Sequence, residues 1–122
     1  MKNLFFFYFS LLWLPLFAQD IIWLTPVEHD FGEFEQFDIQ QVAFKFKNNS
    51  GEAVVVDNVR TTCGCTSPDW SDEPIPADST SVITIEYDAR KIGFFYKKVK
   101  VYFSGIRKGE KLSVEGEVVE KT

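Results

Sequence analysis

The sequence predicts an all-β fold, an immunoglobulin-like β-sandwich of about seven antiparallel strands, and three observations carry that reading. Short stretches alternate apolar and polar residues with a period of two, and turn residues recur about every ten positions. After residue 18, no stretch sustains an apolar period of 3.6. About seven such strands in about a hundred residues is the pattern of that sandwich. The inter-sheet cysteine bridge of antibody domains is missing, because the only two cysteines, Cys63 and Cys65, stand too close in sequence to join two sheets.

Met1 to Ala18 carries one charge, Lys2, then an apolar block of 14 residues from Leu4 to Phe17 and a small residue at Ala18. The block is short of the roughly 18 to 20 residues that span a bilayer, so residues 1–18 read as a secretory signal peptide cleaved near Gln19. No cysteine follows that point, so no lipid-anchored start is expected there. Cleavage takes the formal net charge from −5 to −6 and leaves residues 19–122 as one domain, large enough to bury a core without staples. An acidic balance without a basic stripe argues against nucleic acid and anionic membrane surfaces as partners. Export puts the chain in the periplasm, at the cell surface or outside the cell, an oxidising setting for thiols.

In chain order, Ile21 to Val27 is a short apolar run interrupted by Pro26, which suits an edge strand. Glu28 to Phe34 mixes acids and aromatics around Gly32 and reads as a bend presenting Phe31 and Phe34 to a core. His29, the single histidine, reads as a polar residue bonded near that bend; a ligand role would need partners of its kind. From Asp38 to Lys47 the alternation is clean, with Val42, Phe44 and Phe46 on the buried face. Asn48-Asn49-Ser50-Gly51 then turns the chain, and this turn chemistry accounts for the sequon at Asn48 without a glycan. Ala53 to Val59 is β-branched and delivers the chain into Arg60-Thr61-Thr62-Cys63-Gly64-Cys65-Thr66 at the rim of a sheet. Thr66 to Ser79 reads as loop, with Trp70 packing over the cysteine turn or the sandwich end. Three strands follow: Thr80 to Tyr87, Phe94 to Phe103 and Lys111 to Val119, with turns at Asp88 to Gly93 and Ser104 to Glu110.

Two thiols at positions i and i+2 can pair, bind a metal, exchange disulfides or stay free. Pairing needs Cα atoms within roughly 4.4 to 6.8 Å, and Gly64 lets the backbone turn to bring them there. The closed loop is tiny, so the bridge should contribute about 1 to 2 kcal/mol, below the usual 2 to 4. A closed zinc site takes four ligands, more than one cysteine pair and one histidine supply. Two thiolates could still hold Cu(I), a soft ion. A redox role lacks both the Cys-x-x-Cys spacing and a surrounding βαβ pattern.

The order His29-Asp30-Phe31-Gly32, Phe44-x-Phe46-x-Asn48-x-x-Gly51, Thr62-Cys63-Gly64-Cys65-Thr66, Trp70, Pro74-Ile75, Ile85-x-Tyr87-Asp88, Gly93-x-Phe95 and Gly116 resembles the exported bacterial family called domain of unknown function 1573. The likeness covers about residues 27–119, and Cys-Gly-Cys-Thr is its most specific part. It implies an immunoglobulin-like domain of the type found in cilium and spindle proteins, common in Bacteroidota, with no assigned activity and no catalytic residues to carry over. One departure is Ala77-Asp78, where a glycine is expected in the turn.

Two function classes follow. In the first, the chain is a non-enzymatic interaction or scaffolding module that holds another protein or a glycan by sheet edges or rim loops, with no cofactor and no metal. In the second, Cys63 and Cys65 do thiol-disulfide or Cu(I) chemistry. The first is favoured, because a catalytic disulfide needs a neighbouring base or a helix N-terminus to lower a thiol pKa. Arg60 and Lys91 are the only basic candidates, and nothing in the sequence brings Lys91 close.

Overall fold

The alternation of Thr80–Tyr87 shows how the pattern becomes a layer: Ile83, Ile85 and Tyr87 point inward and are buried, while the residues between them face out. The computed structural model describes residues 19–122, and the expected leader, residues 1–18, lies outside the described residues. Among the described residues every regular element is a strand: β1 (Ile21–Trp23), β2 (Glu28–Glu35), β3 (Gln40–Asn48), β4 (Val56–Thr61), β5 (Thr66–Trp70), β6 (Thr80–Tyr87), β7 (Gly93–Phe103) and β8 (Glu110–Val119). They form two four-stranded sheets, ordered β1-β3-β6-β5 and β2-β8-β7-β4. The inner faces meet in a core that includes Phe44, Phe46, Ile83, Ile85, Val99, Val101, Leu112 and Val114. The all-β sandwich expected from periodicity is the fold.

Four expectations are corrected. The strands number eight, because Thr66–Trp70 pairs with β6 where a loop was expected. Its polar composition hid it, but β5 lies at a sheet edge, where Pro68 needs no ladder partner on its outer side and Thr66 alone is fully buried. Nor are all pairings antiparallel, since β2 runs parallel to β8. The expected bend at Glu28 to Phe34 is this strand interrupted by a bulge between Asp30 and Glu33. Gly32 takes φ 73° there and its N–H donates to Asp30 Oδ1 at 2.8 Å. Opposite the bulge, a Cβ at Gly116 would stand 3.0 Å from the Gly32 carbonyl oxygen and 3.1 Å from the Phe34 and Phe95 rings. Phe34 is buried and Phe31 half-buried, so the two aromatics do face the core. Finally, the strand expected from Ala53 begins only at Val56, and Val54 makes a single bridge to Ile75. In the departing turn, Asp78 holds φ 67° where a glycine was expected, and its N–H donates to the Asn48 carbonyl at 2.8 Å.

Candidate functional site

Between Thr61 at the end of β4 and Thr66 at the start of β5 the chain changes sheets, so Thr62–Cys65 is a crossover at the rim of the sandwich. Cys63 and Cys65 are paired within it, their Cα atoms 5.3 Å apart and both side chains half-buried. Two threonine hydroxyls, of Thr61 and Thr66, each donate to the Cys63 carbonyl at 3.2 Å. The Cys65 N–H donates to Cys63 Sγ at 3.3 Å, and the Cys65 carbonyl accepts from the Asp88 N–H at 3.0 Å. Gly64 is exposed and outside the left-handed region, and a side chain there would meet nothing within 4 Å. The turn therefore rests on the threonine bonds and the cysteine pair more than on glycine's conformational freedom.

Tyr87 fixes what surrounds this turn, because it lies in register with Gln40 on one side and Thr66 on the other. The β2–β3 turn, the cysteine turn and the β6–β7 turn consequently share one end. There the Phe37 N–H donates to the Ala89 carbonyl at 2.8 Å, and Gln36 Nε2 to the Arg90 carbonyl at 2.7 Å. Phe37 holds φ 70°, a conformation that bulky residues rarely adopt, yet its side chain is 62 % exposed. Ile39, Ile92 and Phe94 are exposed on the same loops and the adjoining start of β7, Phe94 by 70 %. Four large apolar side chains are thus exposed toward this end, and one of them, Phe37, sits on strained backbone. Sequence reasoning missed Phe37; an aromatic between Gln36 and Asp38 in a turn was the available signal.

The other expected residues lie elsewhere. Trp70 stands at the far end of β5 from the cysteine turn, about 13 Å along an extended strand, in register with Ile83 and packed on the core. His29 sits on β2 and packs edge-on to Phe31 with ring centroids 4.7 Å apart. Cys63 follows β4, on the opposite edge of that sheet, so three strand spacings, about 14 Å, separate His29 from the cysteines. Among the described residues no group of three or more His, Cys, Asp or Glu is placed to hold a metal ion.

Beneath the rim, Tyr87 stacks on Phe95 with ring centroids 3.8 Å apart. Burial pushes its phenol above the ordinary 10.0, and the Asp88 carboxylate adds to the rise. A raised folded-state pKa means that this contribution is whole below pH 10.0 and is lost as pH climbs through the folded value. Denaturation followed from pH 8 to 11 should show stability falling above about pH 10, with a flatter alkaline limb in Tyr87→Phe. An equal decline in wild type and variant would assign the alkaline limb to other groups.

The family model described as protein of unknown function (DUF1573) matches residues 22–118. No curated protein matches the chain. Among solved structures, the chain is similar to the ASH/PapD-like domain 7 of human CEP192, with TM-score 0.71 and 9 % identity over 91 % of this chain and 95 % of that one. It is also similar to a protein of unknown function from Porphyromonas gingivalis W83, with TM-score 0.66 and 12 % identity over 82 % of this chain; it spans 48 % of that longer protein. The CooA pilin subunit of enterotoxigenic Escherichia coli matches with TM-score 0.50 and 12 % identity over 85 % of this chain and all of that one. At these identities the likeness shows the sandwich fold alone.

Proposed function

The chain belongs to the family described as protein of unknown function (DUF1573), and on that premise we propose that it is an exported, non-enzymatic protein-interaction module that engages its partner through the cysteine-turn rim. In this reading residues 1–18 are a signal peptide, residues 19–122 are the single domain, and the product works in the bacterial periplasm or at the cell surface. Cys63 and Cys65 form a disulfide that locks the crossover. The observation that carries the proposal is the group of exposed apolar side chains, Phe37, Ile39 and Ile92 on loops tied together at that end and Phe94 at the adjoining start of β7. Pilin and PapD-like relatives of the fold agree with an assembly role.

The sheet edges are poorer candidates than the rim. β1 has three residues, β5 carries Pro68, and β2 and β4 are each interrupted by a bulge, so all four edges are blunted against an added strand. One observation favours thiol chemistry as a second reading: the Cys65 N–H aimed at Cys63 Sγ would hold a thiolate at Cys63 after reduction.

Capture of partners from native envelope, with wild type, a Phe37→Ala, Phe94→Ala variant and a Cys63→Ser, Cys65→Ser variant, separates the two. Rim contact predicts that the aromatic variant captures about tenfold less, the effect of a hot spot worth roughly 1.4 kcal/mol. The cysteine variant should capture normally and lose about 1 to 2 kcal/mol of stability. The reverse pattern, with the cysteine variant folded but inactive, would move the function to the thiols.

A further inference from the structure

The outer face of the β2-β8-β7-β4 sheet carries a second feature that the chain's acidic composition conceals. Arg60 of β4, Lys100 of β7 and Lys111 of β8 are direct cross-strand neighbours in one row. Lys98 lies two residues along β7 on the same face, beside Ser113. All four cations are exposed, and they line a concavity of about 620 Å³ walled by Val27 and Glu28 on one side and Thr61 and Thr62 on the other. Glu28 is the one carboxylate at its wall, which leaves a net three positive charges in a protein of net charge −5. Among the described residues the single salt bridge is Arg90 with Asp88, at the rim, so none of the four cations is in a close ion pair. The expected absence of a basic stripe is thus corrected: three strands assemble one from residues far apart in sequence.

Like charges placed directly across a sheet oppose folding, and a bound anion would relieve that repulsion. We infer that this concavity binds a phosphate-bearing ligand. Its volume lies within the roughly 300 to 1,000 Å³ of small-molecule sites, whereas a flat protein contact needs no such recess. A single carboxylate would leave two of the three net charges unmatched; a phosphomonoester or diphosphate neutralises most of them. The Arg60 guanidinium, whose Cζ lies 5.8 Å from the Tyr102 ring centroid, supplies a flat donor fork, and the lysines supply point charges. This site adjoins the cysteine turn at Thr61 and Thr62, but none of Phe37, Ile39, Ile92 and Phe94 lines it, and either site can fail without the other.

The test is calorimetric titration of the protein with sodium pyrophosphate, and co-sedimentation with phosphatidylglycerol-containing and pure phosphatidylcholine vesicles. Pyrophosphate should bind at one site, more weakly as salt rises, and Lys100→Gln should weaken it about tenfold or more. Lys45→Gln, an equal charge change on β3 of the other sheet, should leave affinity within about twofold. Because Lys100→Gln also relieves the cross-strand repulsion, its unliganded melting temperature should rise by about 2 to 5 °C, which separates lost binding from lost folding. Binding of pyrophosphate without vesicles assigns a soluble phosphate, and Lys100-dependent sedimentation with phosphatidylglycerol assigns a lipid headgroup. The inference is overturned by binding to neither probe, by equal loss in Lys45→Gln, or by a polyglutamate peptide outcompeting pyrophosphate at the groove.

Discussion

Replacing Asn48 by alanine should lower the stability of the fold by about 3 kcal/mol, and its melting temperature by roughly 12 to 20 °C. Asn48 ends β3 and is 0 % exposed. Its Nδ2 donates to the carbonyls of Glu52 at 2.7 Å and Ile75 at 2.9 Å, with Pro76 at 3.2 Å sharing the second hydrogen. Its Oδ1 accepts from the Ser50 N–H at 3.0 Å and the Ser50 hydroxyl at 2.7 Å. One side chain therefore fastens the β3–β4 connection to the segment before β6. Alanine removes every one of these bonds and leaves Glu52 and its neighbours to recover partners only where water reaches them. Asn48→Asp should be at least as damaging, since a carboxylate offers no donor to those carbonyls and brings a buried charge. Urea unfolding with an unchanged m-value would measure the loss; a loss under about 1 kcal/mol for Asn48→Ala would show that the backbone bonds alone hold the turn. The same geometry closes the Asn48 sequon, because the nitrogen a glycan would take is buried and occupied.

Asn48 also shows what periodicity can and cannot read. Alternation located β3, β6, β7 and β8 nearly to the residue, because Phe44, Phe46, Ile83, Ile85, Val99, Val101, Leu112 and Val114 bury one face each. β5 was illegible, since its inner face is Thr66, Pro68 and Trp70, and a proline flanked by Ser67 and Asp69 reads as a turn. Parallel pairing of β2 with β8 joins residues about 85 apart in the chain, and nothing local encodes it. The cysteine turn was legible as a special site from its motif. Its surroundings were not, because Phe37 and Phe94 are brought to one rim only by the register of Tyr87 with Gln40 and Thr66. Charge was the most misleading signal: Arg60, Lys98, Lys100 and Lys111 look scattered along the sequence and stand together across three strands.

The other large effect should come from Phe46→Ala, at about 4 kcal/mol. Phe46 is 0 % exposed and joins both sheets. Its ring lies 5.4 Å from that of Trp23, its cross-strand partner in β1, and 5.2 Å, edge-on, from Phe103 of β7 in the facing sheet. β1 contributes only three residues: Ile21 is buried in the core, Trp23 Nε1 donates across to Glu110 Oε1 of the facing sheet at 2.9 Å, and Phe46 relays Trp23's ring contact to Phe103. Removing the ring opens a void that rigid strands on both sides cannot close, which places the cost toward the upper part of the large-to-small range. Phe46→Leu keeps most of the volume and should cost about 1 kcal/mol. A double-mutant cycle with Phe103→Ala should return a coupling of about 1 kcal/mol, the share of the edge-on pair beyond its buried area. Trp23 should move toward solvent in Phe46→Ala, with a red-shifted emission that Phe46→Leu lacks. If the two single losses simply add and the emission stays put, Phe46 fills space without bridging the sheets, and β1 is held by its ladder to β3, buried Ile21 and the Trp23–Glu110 bond.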